Sequence, residues 1–164
     1  MKNSGRHLHI ISFDIPYPAN YGGVIDVFFK LRALVSAGVK VHLHAFQYGR
    51  QSSRILEELC ESVHYYQRDV SKSQLFLKEP YIVVSRSSEQ LIKNLLSDEH
   101  PILFEGLHST HFLNDERLKQ RRKIVRTHNI EHEYYKNLAK AESNIFKRYY
   151  FYNESNKLEI YENI

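Results

Sequence analysis

Residues 8–46 read LHIISFDIPYPANYGGVIDVFFKLRALVSAGVKVHLHAF, and the change of period inside this stretch decides the fold. Leu8 to Phe13 is a short β-rich run that ends in a loop holding Pro16 and Pro18. From Gly22 the period becomes helical: Val24, Phe28, Leu31 and Val35 fall at i, i+4, i+7 and i+11, on one helix face. Ala37-Gly38 closes that helix, since glycine tolerates the left-handed backbone that ends many helices. Val39 to Phe46 follows as a second strand, with Val41, Leu43 and Ala45 alternating against His42 and His44.

The same alternation continues downstream. Ser53 to Cys60 reads as a helix, Val63 to Tyr66 as a strand, and Gln74 to Leu77 as a weaker helical turn. Pro80 to Val84 reads as a loop or brief extended segment, and Ser88 to Leu96 as a helix with Ser88 at its N-cap. Pro101 to Phe104 and Ile124 to Arg126 are two further strands; from Ile130 to the end the pattern is helical, with a break near Ser143-Asn144. Strands separated by helices at this interval predict an α/β fold: a doubly wound, mostly parallel sheet with helices on both faces. A single domain over 1–164 is expected. Ligands of such sheets bind beyond the carboxyl ends of the strands, which directs attention to the residues after each strand.

Composition narrows the class. The 42% apolar and 26% charged content is that of an ordinary globular chain, and twelve Tyr with nine Phe place many rings at the surface or along a groove. The one cysteine, Cys60, excludes an internal disulfide and lies among Ile55, Leu56 and Leu59 as a buried thiol. No apolar run approaches the ~20 residues that span a bilayer. The polar start Met1 to Arg6 precedes no signal-peptide segment, so a cytoplasmic protein is expected, with contact at the inner face of the membrane left open. The basic run Arg117, Lys119, Arg121, Arg122, Lys123 and Arg126 reads first as a solvated face leading into a strand, and second as a surface for nucleic acid, anionic lipid or phosphate.

Three constellations follow strands. The first, Asp14-Ile15-Pro16-Tyr17-Pro18-Ala19-Asn20-Tyr21-Gly22-Gly23, opens the first helix. Its paired glycines permit close backbone approach, and a helix N-terminus favours an anionic group, although the GxGxxG spacing is absent. The second is Phe104-Glu105-Gly106-Leu107-His108-Ser109-Thr110-His111. Glu105 is suited to accept a hydrogen bond from a sugar hydroxyl or act as a base, and His108 to donate one; a local cap and a solvent-facing His are the plain alternatives. The third is Arg126-Thr127-His128-Asn129-Ile130-Glu131-His132-Glu133-Tyr134-Tyr135. His128 and His132 at i, i+4 lack the HExxH arrangement and a third ligand, so cleft-lining polar residues are expected rather than a metal site.

The first constellation, with the LVSAGVKV run of Leu34 to Val41, resembles the opening of GT-B glycosyltransferases of family four; Val39 stands where that family commonly has histidine. The third resembles the R-x-H-N-x-E-x-x-Y segment of a bacterial subset of these enzymes. In the second, Glu105 and Leu107 replace the family's histidines, and His108 is adjacent. The resemblance implies the N-terminal, acceptor-side Rossmann-like half of a retaining hexosyl-type transferase, with the donor-binding half outside this chain and this domain inactive alone. It implies Gly22 and Gly23 near the donor diphosphate, with Asn20, Tyr21, Arg126, His128 and Glu131 also lining the substrate cleft. It places His108 or Glu105 at the transferred sugar. No cofactor and no metal are expected. The implied partners are a nucleotide-sugar and a glycan or lipid-linked acceptor, the latter slightly favoured by aromatic excess and basic charge. Residues 146–162 match the long helix preceding the family's second half, and core packing is the first expectation for their aromatics. A non-catalytic α/β binding or regulatory module is the alternative. A nucleic-acid-binding domain is a further rival without a motif of its own.

Overall fold

The computed structural model describes residues 6–163; the first five residues of the polar start lie outside the described residues. The strands are β1 (Arg6–Ser12), β2 (Val39–Gln47), β3 (Ser62–Gln67), β4 (Ile102–Glu105) and β5 (Lys123–Arg126). The helices are α1 (Gly22–Ser36), α2 (Arg54–Leu59), α3 (Tyr81–Val84), α4 (Glu89–Leu95), α5 (Glu131–Ala141) and α6 (Ile145–Glu162). Shorter 3-10 turns occupy Lys72–Phe76, Leu107–Phe112 and Glu116–Leu118. All strand pairs are parallel, in the order β3-β2-β1-β4-β5. The chain therefore winds outward from β1 in one direction, then restarts on its other side with β4, leaving a switch point between β1 and β4.

Alternation within the strands sends neighbouring residues to opposite faces. Ile10, Leu43 and Ala45 pack with Val27, Phe28 and Leu31 of α1 and Leu56 of α2. Ile11, Phe46, Ile102 and Phe104 pack with Leu91, Ile92 and Leu95 of α4. Helices thus cover both faces, and full burial of side chains such as Leu31 stabilises by about 2 kcal/mol each. Gly38, at φ 78, turns the chain from α1 into β2 as the Ala37-Gly38 signal implies. Cys60 is buried, and burial pushes its thiol up to about 12, in keeping with a structural role.

A chain of hydrogen bonds crosses the α4 face of the sheet. Asn94 Nδ2 donates to Tyr66 Oη (2.8 Å), Tyr66 donates to His44 Nδ1 (2.7 Å), and His44 Nε2 donates to His9 Nδ1 (2.8 Å). His9 Nε2 then donates to the Asp98 carboxylate at 3.0 Å, which can only accept and so fixes the direction of the chain. Burial, first, and neighbouring histidines hold His44 well below its ordinary value; burial likewise brings His9 down to about 4 despite Asp98.

Three readings are corrected. Pro80 to Val84 is not extended: Pro80, with φ −61, caps α3, and its carbonyl accepts from Val83 and Val84. The cause is distant in sequence, because Glu154 of α6 accepts from Tyr81 N at 2.6 Å, and Ile82 and Val83 bury against Leu107 and Leu158. The basic run is not one surface. Arg121 is buried and donates to the carbonyls of Leu95, Asp98 and His100, while Arg117 pairs with Asp115 and Lys119 with Glu116. The aromatics of α6 do not all pack inward: its buried residues are Glu154, Ser155 and Leu158, and Phe146, Tyr149 and Tyr152 are exposed. The break near Ser143-Asn144 is present, with Asn144 Oδ1 capping Phe146 N and Lys147 N.

Candidate ligand-binding cleft

Parallel register sets the site. Ser12 pairs with Glu105 and Glu105 with Arg126, so the last residues of β1, β4 and β5 lie in one row beside the switch point. Glu105 is fully buried there. Lys30, two turns into α1, forms a short ion pair with its Oε1 and also bonds Asp26 at 3.3 Å. Arg126 pairs with Asp26 and stands 3.6 Å from Glu105 Oε2. His128 Nε2 lies 3.3 Å from the same oxygen at an angle that leaves both atoms without a conventional hydrogen bond. Burial opposes ionisation of Glu105, but the contacts from His128 and Lys30 together outweigh it and hold the carboxyl below its ordinary range. The result is a buried carboxylate ionised at neutral pH, with Oε1 on Lys30 and Oε2 facing His128 and Arg126 without a well-aligned hydrogen bond. Its lowered basicity suits acceptance of a hydrogen bond better than proton abstraction.

Gly106 joins this carboxylate to His108. Its φ of 76 is a conformation that L side chains rarely adopt, and a Cβ there would come within 3.3 Å of His128 Cδ2 and 3.4 Å of His108 Nδ1. His108 Nδ1 is buried without a partner. Burial, then the charges of Arg86 and Arg68, bring His108 down to about 3, so the ring is neutral and one of its nitrogens is an acceptor. Phe13 packs its ring between His108 and His128, at centroid distances of 5.4 and 5.7 Å. Gly23 is glycine for this reason: a Cβ there would meet Phe13 Cζ at 2.7 Å. Gly22 faces open space, so its place in the cleft carries no such steric demand.

The opening loop is organised by Asp14, which accepts from Ile15 N and from the Tyr21 hydroxyl at 2.8 and 2.7 Å. Burial and this bond push Tyr21 up to about 12. Arg50 stacks over the Tyr21 ring, donates to Asn20 Oδ1 at 3.0 Å, and reaches the Pro18 carbonyl. The N-terminus of α1 has no side-chain cap and no acidic residue in its first turn, so its free N–H groups stay available to an anion.

Of the residues singled out from sequence, the structure brings Glu105, His108, Arg126, His128 and Gly23 to one place, with Gly22, Tyr21 and Asn20 at its rim. Glu131 is buried at the start of α5, where burial and then the charge of Glu162 raise its carboxyl; among the described residues no ion pair holds it. His132 faces Glu162 rather than His128, so these two histidines are not a ligand pair. Asp26, Lys30 and Arg86 went unnoticed in the sequence. The first two are i, i+4 neighbours a turn beyond the glycines, which was the available signal; buried Arg86, which donates to the Phe13 carbonyl at 2.8 Å, gave none.

Two clusters bring three potential metal-ligand atoms within 4.8 Å of one another: Asp26, Glu105 and His128, and His7, His42 and His100. In the first, Lys30 and Arg126 already neutralise the carboxylates. In the second, His7 Nδ1 and His42 Nε2 already hydrogen-bond each other at 2.9 Å, and His42 Nδ1 bonds Ser62 at 2.8 Å.

No family model matches the chain, and no solved structure matches it. A 44.6 kDa Klebsiella pneumoniae protein, described as uncharacterized and in the cps region, is 35% identical over 151 residues. The match takes in 87% of this chain and 39% of that relative, so the chain spans about two fifths of the relative's length. Among the described residues, no helix is long and apolar enough to cross a membrane.

Proposed function

We propose that this chain is the acceptor-side domain of a sugar-nucleotide-dependent glycosyltransferase acting in polysaccharide biosynthesis. The observation that carries the reading is the buried polar cluster around Gly106, in which His108 Nδ1 has no partner and Glu105 Oε2 meets His128 Nε2 only across a poorly aligned 3.3 Å. Buried polar groups are nearly always satisfied within a protein, so an unpaired nitrogen beside a loosely paired carboxylate at a strand-end switch point suits a ligand that supplies hydroxyls. An ionised carboxylate and a neutral imidazole suit sugar hydroxyls, while Arg126 and the uncapped α1 N-terminus suit a departing diphosphate. The relative's place in a cps region hints at polysaccharide biosynthesis and agrees with this reading. The relative's greater length leaves room for a second, donor-binding half in the intact enzyme.

The role of Glu105 is to orient a sugar hydroxyl beside the anomeric carbon, with His108 contacting the transferred sugar. The test uses the polypeptide that extends this chain through the rest of its reading frame, supplied with a panel of nucleotide-sugars and membrane extract as acceptor. Transfer of labelled sugar is expected, falling about a hundredfold in Glu105→Gln, the usual scale for one lost transition-state contact. Absence of transfer from every donor, or undiminished transfer by Glu105→Gln, would refute the assignment. Transfer by the isolated 164 residues would overturn the division of labour between two halves.

A further inference from the structure

We propose that the turn between α5 and α6 docks the protein onto an anionic lipid surface. The two helices pack against each other as a hairpin, joined at Glu142–Asn144. Near the turn they enclose an open groove of about 490 Å³, lined by Lys136, Lys140, Ile145, Arg148, Tyr149 and Tyr152. Phe146, beside the groove, is 80% exposed and Tyr149 is 73% exposed, with Ile145 at 62%. Phe76 and Leu77 border a second depression shared with Tyr149, and both are exposed, which widens the apolar face. Large rings presented in this number to water lose free energy there, and among the described residues no element covers them.

Charge selects the occupant. Between Tyr134 and Tyr152 the cations are Lys136, Lys140, Lys147 and Arg148, against the single carboxylate Glu142. Glu142 is engaged by Asn144 N at 2.9 Å, and none of the four cations is ion-paired among the described residues. Glu133 and Glu159 line an adjoining depression that Lys136 and Lys140 share, so the cations clear of carboxylates are Lys147 and Arg148 beside the turn. Positive charge and aromatic rings are thereby concentrated at the turn. Aromatic rings settle at the headgroup level of a bilayer, and lysine and arginine extend from it to lipid phosphates. An acidic protein surface would match the charge but would not need four exposed rings and aliphatic side chains fanned around a groove. The turn lies one α5 length, about 16 Å at 1.5 Å per residue, from the residues that open the cleft. The inference is independent of sugar transfer.

The test is co-sedimentation of the 164-residue chain with vesicles of phosphatidylcholine alone or containing about one third phosphatidylglycerol. Binding to the anionic vesicles is expected, weakened about tenfold or more by raising salt to ~0.5 M, by Lys140→Glu with Arg148→Glu, or by Phe146→Ser with Tyr149→Ser. These side chains are exposed, and circular dichroism with a melting curve verifies that each variant is folded. No sedimentation with anionic vesicles, or equal sedimentation of wild type and both double variants, would overturn the proposal. Light scattering runs in parallel: a stable dimer that Phe146→Ser with Tyr149→Ser dissociates would assign the face to a second copy instead. Retention on an acidic polypeptide column combined with no vesicle binding would assign it to a protein.

Discussion

The same sheet carries two buried polar networks, and they differ in one respect. On the α4 face, the chain from Asn94 through Tyr66, His44 and His9 ends on Asp98 with every donor matched to an acceptor. At the strand ends, Glu105, His108 and His128 crowd around Gly106 with atoms left over. A closed network contributes rigidity and a unique packing; an open one keeps its unsatisfied groups for something outside the protein. The difference teaches that burial of histidine alone says little about function, whereas an incomplete set of partners says a good deal.

Acid should weaken both networks through their buried neutral histidines. His9 titrates at about 4 when folded against 6.5 for the free side chain, so between these values the unfolded chain binds protons that the folded one refuses. Stability is therefore complete above pH ~6.5 and declines as pH falls toward ~4, by about 3 kcal/mol for His9 alone. His44 and His108, lowered in the same direction, add to the decline. Urea denaturation across this range measures it; a flat profile would mean that the histidines are hydrated in solution.

Substitution should then separate the two networks by sign. His44→Leu leaves Tyr66 and His9 without their partner and is expected to lower stability by about 2 kcal/mol. His108→Leu removes an orphaned nitrogen and is expected to be neutral or to raise stability by up to about 1 kcal/mol, while impairing ligand binding. Thermal melts of the two variants decide the point, and equal losses would erase the distinction. Smaller still is the contrast between glycines. Gly106→Ala should lower stability by about 1 kcal/mol because of its positive φ and close neighbours, whereas Gly22→Ala, in open space at the first turn of α1, should change it by no more than a few tenths.

The extent to which the sequence disclosed this architecture follows the range of the forces involved. The β1-α1-β2 unit was legible because its periodicity, its glycines and its turn residues all act within a few positions. The α3 turn was not, since its cap comes from Glu154, 73 positions away. Glu105, Arg126 and His128 could be named from their place after strands, yet the Lys30 and Asp26 that complete the charge set are 75 and 100 positions from their partners. The α6 aromatics show the remaining limit: helical spacing reports a face but not whether another element exists to cover it.

The row formed by Ser12, Glu105 and Arg126 has a consequence for biosynthesis. As the polypeptide leaves the ribosome, β1, α1, β2 and β3 emerge in succession and can assemble at once. One edge of β1 then stays unzipped until residues 102–105 are made, because only β4 fills it. That edge is an unpaired template flanked by Ile10 and Ile11, the kind of strand that recruits stray chains. The cleft is consequently the last part of the sheet to exist. Any ligand of the cleft can be recognised only by a molecule whose insertion of β4 is finished, and occupancy of the site will track completed folding during synthesis.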